Sequence, residues 1–109
     1  MHFEWNEQKN RQNLVKHGIR FETAALAFDD PYAVTQLDDS SDEEERWITL
    51  GAVGPGAILV VVHTWTEEEG EAVTRIISAR AAESHERRAY EEAHQRAKAR
   101  YRRHRGHER

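Results

Sequence analysis

The chain contains no cysteine among its 109 residues, which excludes disulfides, thiolate zinc sites and catalysis by a thiol. It also lacks a long apolar segment, because its longest apolar run, from Ala57 to Val62, is far shorter than the roughly 20 residues that cross a bilayer. The N-terminal segment has no basic stretch followed by an apolar stretch, so a secretory signal is not expected. We therefore expect a cytoplasmic protein with no membrane partner.

The length suits one compact domain and is too short for two. Charged side chains make up 33% of the chain and hydrophobic ones 38%, which is typical of a folded domain with a charged surface. The charge is uneven: residues 1–70 carry 5 basic and 14 acidic side chains, and residues 71–109 carry 11 and 6. The acidic blocks at 38–45 and 67–69 and the basic C-terminal segment are typical of solvated faces. The alternative for the basic segment is a polyanion or an acidic partner.

A first helix is predicted over residues 7–17. Asn6 can cap its N-terminus, and Gly18 can end it because glycine accepts the left-handed conformation found there. The apolar stripe of this helix is thin and consists essentially of Leu14 and Val15.

A second, shorter helix is predicted next, with a core face of two aromatic rings and two small side chains. These four residues follow the helical spacing i, i+3, i+4 and i+7, and they are Phe21, Ala24, Ala25 and Phe28. Pro31 ends the helix, since the residue before a proline is pushed out of the helical region.

The pattern then changes from helical to extended. Four strands are predicted, at residues 32–36, 46–50, 58–65 and 73–79. Short links at 51–56 and 67–70 favour an antiparallel meander, in which the strand from Ile58 is central because it is apolar on both faces. A short strand at residues 3–5 precedes the first helix.

A terminal helix is predicted after Arg80. Ser84 can cap it, and its apolar stripe consists of Tyr90, Ala93, Ala97 and Tyr101. Two helices after a short N-terminal strand, an antiparallel four-stranded meander and a C-terminal helix together indicate an α+β fold in one small domain.

Several segments carry a family resemblance. In chain order they are FEWNE at 3–7, NLVKHGI at 13–19, FDDP at 28–31, VVVHT at 60–64, RIISARAA at 75–82 and ERRAY at 86–90. Their order and spacing, over roughly residues 3–92, resemble the BrnT family of bacterial type II toxins.

The resemblance implies a RelE-like fold and a ribonuclease toxin that cleaves RNA and so inhibits translation. It also implies a BrnA-like antitoxin with a ribbon-helix-helix domain, which covers the toxin and carries the complex to DNA. The acidic block at 38–45 is longer than usual for the family, and the family typically ends before the basic tail. We therefore expect a toxin domain at residues 1–92 and a basic helical extension at residues 93–109.

RNA cleavage without a metal needs a base for the 2′-hydroxyl proton, a cation for the phosphate and an acid for the leaving 5′-oxygen. The acidic blocks consist of consecutive loop residues, which do not converge on a magnesium ion by their spacing. We therefore predict a metal-independent reaction that uses no cofactor.

Arg80 is the first choice for phosphate binding, because it ends the last strand and keeps its charge near neutral pH. Strict alternation places it on one strand face with Thr74, Ile76 and Ser78, and places Arg75 on the other face unless a bulge intervenes. Arg75 is predicted either to bind RNA or to pair with a helix carboxylate.

Four further residues are candidates for the catalytic site. His63 suits proton transfer, although a lone histidine in an apolar strand also suits a hydrogen-bonded structural role. Lys16 and His17 are candidate proton-transfer groups, with a favourable charge at a helix C-terminus as the alternative. Arg46 is expected either to contact phosphate or to be neutralised by the acidic block before it.

Arg87 and Tyr90 are candidate RNA-binding residues at the start of the terminal helix, and the core is the alternative for Tyr90 because it lies on the apolar stripe. Three tryptophans could stack on RNA bases, but we expect most of them to pack within the fold. They are Trp5, Trp47 and Trp65. His104 and His107 have a spacing that permits a metal, but no second pair of ligands lies nearby in the sequence.

Two other functions remain open at this point. One is a non-catalytic interaction module that acts in a protein–DNA repressor complex. The other is a nucleic-acid binder that acts through the basic residues 98–105, whose affinity would fall steeply with salt.

Overall fold

A five-stranded sheet forms the centre of the protein. The computed structural model describes residues 1–40 and 44–107, with the side chains of the last helix as far as residue 102. In chain order, the elements are β1 (His2–Glu4), α1 (Glu7–His17), α2 (Phe21–Ala25), a 3₁₀ turn (Leu26–Asp29), β2 (Val34–Asp38), β3 (Arg46–Gly54), β4 (Ala57–Glu68), β5 (Glu71–Ala81) and α3 (Ser84–His107). The predicted α+β class is confirmed. Every helix in the described part of the chain is too short or too polar to cross a membrane.

The strand order is β1-β5-β4-β3-β2, so β4 is central, as the apolar run predicts. Strands β2 to β5 form the predicted antiparallel meander. The short strand β1 joins its outer side and runs parallel to β5. Because β1 covers only three residues of β5, the later part of that edge is left to α1.

The two faces of the sheet have separate cores. The first, which we call the helix face, is covered by α1 and α2 around a cluster that consists of Phe21, Ala24, Ala27, Leu59, Val61, Ile76 and Ala79. On the other, which we call the open face, α3 packs at one end, where Tyr90 joins Leu50, Ile58 and Val60.

The predicted bounds of α1 are confirmed, and so are both of its end signals. The side chain of Asn6 accepts a hydrogen bond from the backbone N–H of Lys9 at 3.0 Å. Gly18 adopts φ 73°, and its N–H donates to the carbonyl of Leu14 at 2.9 Å.

The predicted apolar stripe of α1 is wrong, because the helix is held by asparagines. Val15 is 89% exposed. The buried Asn13 instead donates its side-chain N–H groups to the carbonyls of Ala79 at 2.8 Å and Ile19 at 2.9 Å. Its Oδ1 accepts from the N–H of Ala79 at 3.1 Å. This amide therefore replaces a neighbouring strand at a point on β5 that β1 does not reach.

A second asparagine anchors the start of α2. The Oδ1 atom of Asn10 accepts from the backbone N–H of Phe21 at 2.8 Å. Phe21 and Ala24 are fully buried as predicted, but the chain tightens into a 3₁₀ turn after Ala25. Ala27 therefore takes the buried position that the helical spacing assigns to Ala25.

Each observed strand differs in its bounds from the predicted one, and β4 and β5 extend beyond the predicted ranges at both ends. The strand predicted at 32–36 forms at Val34–Asp38. The link predicted at 51–56 is largely part of β3, which continues to Gly54. Gly51 lies inside that strand against the 3₁₀ turn, where a Cβ atom would stand 2.5 Å from the carbonyl oxygen of Ala27. The glycine therefore serves close packing and not a turn.

Candidate functional site

A β-bulge in β5 brings Arg75 and Arg80 to the same face of the sheet. Ile77 has no residue opposite it on β4, because its neighbours Ile76 and Ser78 pair with consecutive residues of that strand. One extra residue reverses the alternation of side chains beyond it. The prediction from strict alternation, that the two arginines lie on opposite faces, is therefore wrong. The reason is a bulge, which is the exception that the prediction allowed for.

Arg46 lies on this open face as well. Continuing the β3–β4 register by one residue places Arg46 beside Thr64, and Thr64 pairs on its other side with Arg75. Neighbouring strands lie about 4.8 Å apart, so the α-carbons of Arg46 and Arg75 are separated by about 10 Å. We call Arg46, Arg75 and Arg80 the arginine cluster.

Two members of the cluster are only loosely paired. Arg75 meets Glu4 at 3.4 Å, and Arg46 meets Glu44 at the same distance. All four side chains are between 38% and 56% exposed. Exposed ion pairs of this kind contribute little free energy, so an anionic ligand can displace them at small cost.

Arg80 is held more firmly. Its two terminal nitrogens donate to the two carboxylate oxygens of Glu86 at 2.7 and 2.9 Å. These hydrogen bonds raise the pKa of Arg80 and lower the pKa of Glu86. Glu86 also accepts from the N–H of Glu83 at 2.9 Å, so it stabilises the first turn of α3. Ser84, the predicted cap, is instead the first residue of the helix.

Lys16 and His17 lie next to the bulge. A groove of about 230 Å³ separates α1 from β5, and its lining residues are Lys9, Gln12, Asn13, Lys16, His17, Ile77 and Ser78. Ser78 pairs with Val62 on the open face, between the positions of Arg75 and Arg80. Lys16 and His17 thus line a groove, which we call the basic groove, whose edge at Ser78 lies between the positions of Arg75 and Arg80 on β5.

His63 lies on the opposite side of the sheet. Its side chain is fully buried on the helix face, with its ring 4.8 Å from that of Phe28. The Nε2 atom is 2.7 Å from the hydroxyl of Thr49, and Nδ1 has no hydrogen-bond partner within the described structure. Burial lowers the pKa of His63 to about 4, so the ring is neutral near pH 7. The fold does not bring this histidine to the arginine cluster.

Tyr90 and Arg87 are engaged in packing α3. Tyr90 is 5% exposed, and its hydroxyl donates to Asp30 at 2.5 Å. Burial, together with the bond to Asp30, raises the pKa of Tyr90 to about 12. Arg87 donates to the carbonyl of Gly56 at 3.0 Å. The structure thus places Tyr90 in the core, which is the alternative that the sequence leaves open.

The tryptophans pack within the fold to different degrees. Trp5 donates to Glu7 at 2.7 Å, while the rings of Trp47 and Trp65 lie 5.1 Å apart and Trp65 is 44% exposed. Within the described residues, no group of three histidine, aspartate or glutamate side chains converges to hold a metal. The side chains of His104 and His107, and residues 41–43 of the acidic block, lie outside the described residues.

Sequence reasoning missed the role of one residue at this site and placed another on the correct face without linking it to the groove. Glu86 orients Arg80, and the only sequence signal for it is its position three residues after Glu83, where an acidic side chain can cap a helix. Ser78 connects the basic groove to the arginine cluster. Alternation correctly places Ser78 on the face of Arg80, but its position at the groove depends on the packing of α1 against β5, which the composition of the strand does not show.

Fold and site together define a small α+β domain with cationic side chains gathered on one sheet face, an arrangement that suits an anionic ligand. The chain matches the family model described as the ribonuclease toxin BrnT of type II toxin-antitoxin systems over residues 5–86. It therefore belongs to the BrnT family. The family resemblance in the sequence is thereby confirmed, and with it a ribonuclease toxin that has an RNA substrate and an antitoxin partner.

Among solved structures, the chain is similar to the crystal structure of the ribonuclease toxin BrnT of Brucella abortus. The identity is 21% and the TM-score 0.53, with 77% of this chain and 99% of that chain covered. This likeness concerns the fold. A comparison with curated proteins finds no match.

Proposed function

We propose that this chain is a metal-independent endoribonuclease that cleaves RNA by attack of the 2′-hydroxyl on the adjacent phosphate. The observation that carries the proposal is the bulge at Ile77, which gathers Arg75 and Arg80 on one face beside the basic groove. Such a site offers cations for a phosphate next to groups that can transfer protons.

Arg75 is the principal phosphate ligand in this proposal. It is 47% exposed, and its ion pair with Glu4 is long, at 3.4 Å. A guanidinium presents a planar fork that matches two phosphate oxygens, and it stays charged throughout the reaction. Arg80, which lies five residues further along β5 and is held by Glu86, adds positive charge to the same face, while Arg46 holds the neighbouring phosphate across Thr64.

Lys16 and His17 are the proton-transfer groups. Both end α1 at the basic groove, and both side chains are exposed. Histidine is the side chain best suited to proton transfer near neutral pH, so His17 is assigned as the general base that takes the 2′-hydroxyl proton, and Lys16 as the general acid that gives a proton to the leaving 5′-oxygen. We assign His63, Tyr90 and Arg87 structural roles, because each is tied to a partner within the fold.

The proposal extends to the biological setting. Cleavage of RNA in the cytoplasm would inhibit translation, and a BrnA-like ribbon-helix-helix antitoxin would neutralise the toxin. An inhibitor of a cationic site needs an acidic or apolar segment, which we place over the arginine cluster. In the toxin–antitoxin complex, contact with DNA then occurs only through the antitoxin.

The test is incubation of the purified protein with single-stranded RNA in EDTA. We expect cleavage by the native chain and a loss of about 100-fold or more in Arg75→Ala, the cost of removing one donor that stabilises transition-state charge. Arg75→Lys should recover part of the rate, since it keeps the positive charge but cannot donate to two phosphate oxygens from one planar group. Arg20→Ala removes an exposed arginine outside the site and should cleave like the native chain.

Two controls identify the chemistry. An RNA with a single 2′-deoxy nucleotide at the cut position should resist cleavage, because the nucleophile is missing. Intact RNA after incubation with correctly folded native protein, both free and on translating ribosomes, would favour a non-catalytic interaction module. Equal rates for Arg75→Ala and the native chain would remove the arginine cluster from the mechanism.

A further inference from the structure

The C-terminal half of α3 extends past the region that the family model matches. The match ends at residue 86, whereas α3 continues to His107. The ring of His94 stacks on that of Tyr32 at 4.0 Å and so fixes the helix to the body at that point. At 1.5 Å per residue, the segment after His94 adds about 20 Å of helix. The molecule accordingly measures 53 Å along its longest axis, against 35 and 26 Å along the others. We call residues 95–107 the basic arm.

The arm reverses the sign of the charge. Residues 1–92 carry 9 basic and 19 acidic side chains, a net charge of −10. The arm, residues 95–107, carries 6 basic side chains and no acidic one, a net charge of +6. A domain with a net charge of −10 repels a polyanion at distances beyond its local cationic site, so it gains little from electrostatic steering. An appended cationic segment supplies the attraction that the domain lacks.

The cations of the arm are exposed to solvent. Arg96, Lys98, Arg100 and Arg102 are all exposed, and none of them forms an ion pair within the described part of the chain. They therefore do not serve to neutralise the acidic domain from which they extend. Tyr101, which is 63% exposed, lies three residues after Lys98 on the helix and presents a ring of the kind on which bases stack.

We propose that the basic arm binds the phosphate backbone of single-stranded RNA and captures it for the site on the open face. α3 begins next to Arg80, packs across one end of that face at Tyr90 and reaches Tyr32 just before β2, so the arm starts at the β2 side of the sheet. The capture of RNA for cleavage rests on the proposed ribonuclease function, whereas the binding of the arm to a phosphate backbone can be measured without cleavage.

The experiment measures affinity for a labelled single-stranded DNA of about 20 nucleotides over a range of salt, with the full chain. DNA has no 2′-hydroxyl, so the result does not depend on whether the chain cleaves RNA. In the double variant Lys98→Gln with Arg102→Gln, the slope of log K against log salt should fall by about 1.4. The affinity near 0.1 M salt should fall by about tenfold or more.

The matched control is Arg11→Gln with Arg20→Gln, which changes the net charge by the same amount at exposed positions outside the arm. We expect its slope and affinity to stay near those of the native chain. Circular dichroism checks the helix content, and Lys98→Arg with Arg102→Lys, which keeps both charges, should bind like the native chain. Equal losses in the arm variant and the control would overturn the proposal. So would an arm variant that binds DNA normally and changes only the sedimentation of the protein, since the arm would then dock on a second copy of the chain.

Discussion

Replacing Asn13 by alanine should destabilise the protein far more than its polar character suggests. The side chain is 7% exposed and bonds the N–H and carbonyl of Ala79 and the carbonyl of Ile19. Alanine leaves those three backbone groups without their partner, at a cost of about 1 to 3 kcal/mol for each one that stays dry. Because α1 can shift and admit water to part of the site, we expect a loss of about 3 kcal/mol in the free energy of unfolding.

The measurement is urea unfolding followed by circular dichroism, with thermal unfolding as a second probe. A loss of about 3 kcal/mol corresponds to a drop of more than about 10 °C in Tm for a domain of this size. The control is Val15→Ala on the same helix, which removes an 89% exposed side chain and should change stability by less than about 0.5 kcal/mol.

The apolar stripe predicted for α1 requires the opposite ranking, with Val15→Ala the more harmful change. If Asn13→Ala unfolds within about 0.5 kcal/mol of the native chain, the amide does not replace a strand at β5 and the reasoning fails. Asn13→Asp gives a further check. Its oxygens can accept from Ala79 but, once ionised, cannot donate to the two carbonyls, so this variant should be most stable at low pH, where the carboxyl is protonated.

Two further predictions concern other parts of the core. Gly51→Ala should lower the free energy of unfolding by about 2 kcal/mol or more, because its Cβ atom would stand 2.5 Å from a backbone oxygen of Ala27. The control is Gly54→Ala in the same strand, whose Cβ atom would meet nothing within 4 Å, so it should be nearly neutral. Equal effects of the two substitutions on unfolding would refute the close approach at Gly51. Burial lowers the pKa of His63 to about 4, so between about pH 6.5 and 4 the unfolded state binds a proton that the folded state does not. The free energy of unfolding should therefore fall by about 2 kcal/mol from pH 7.5 to 5 through this group, and His63→Gln should lack that component of the pH dependence.

Features that depend on short-range signals could be predicted from the sequence. The bounds of α1 follow from Asn6 and Gly18, whose capping chemistry is local and does not require knowledge of the neighbours. The central position of β4 follows from its apolar composition on both faces, and the meander follows from its short links. The presence of cationic side chains near the end of β5 could also be predicted, because arginine stays charged in almost any environment.

Features that depend on partners far away along the chain could not be predicted from the sequence. A bulge adds one residue to a pairing, and nothing in Ile76, Ile77 and Ser78 shows which of them is left over, since all three are compatible with a strand. Asn13 is an ordinary surface residue by composition, and its burial depends on a strand edge that lies 66 residues further along the chain. His63 has a suitable chemistry for catalysis, yet its orientation depends on which sheet face the helices cover.

The same two features, the bulge and Asn13, connect stability to the proposed activity. The bulge turns Arg80 to the face of Arg75, and Asn13 holds α1 against β5 at Ala79, two residues beyond the bulge. Lys16 lies one helical turn after Asn13 on α1, so the amide that stabilises this contact also sets the position of the proposed proton-transfer groups relative to β5 and its arginines. Catalysis is sensitive to misplacements of about 1 Å, whereas folding tolerates them. Substitutions at Asn13 should therefore reduce RNA cleavage under conditions in which most of the protein is still folded, and activity that declines only in step with the folded fraction would show that the two are not coupled.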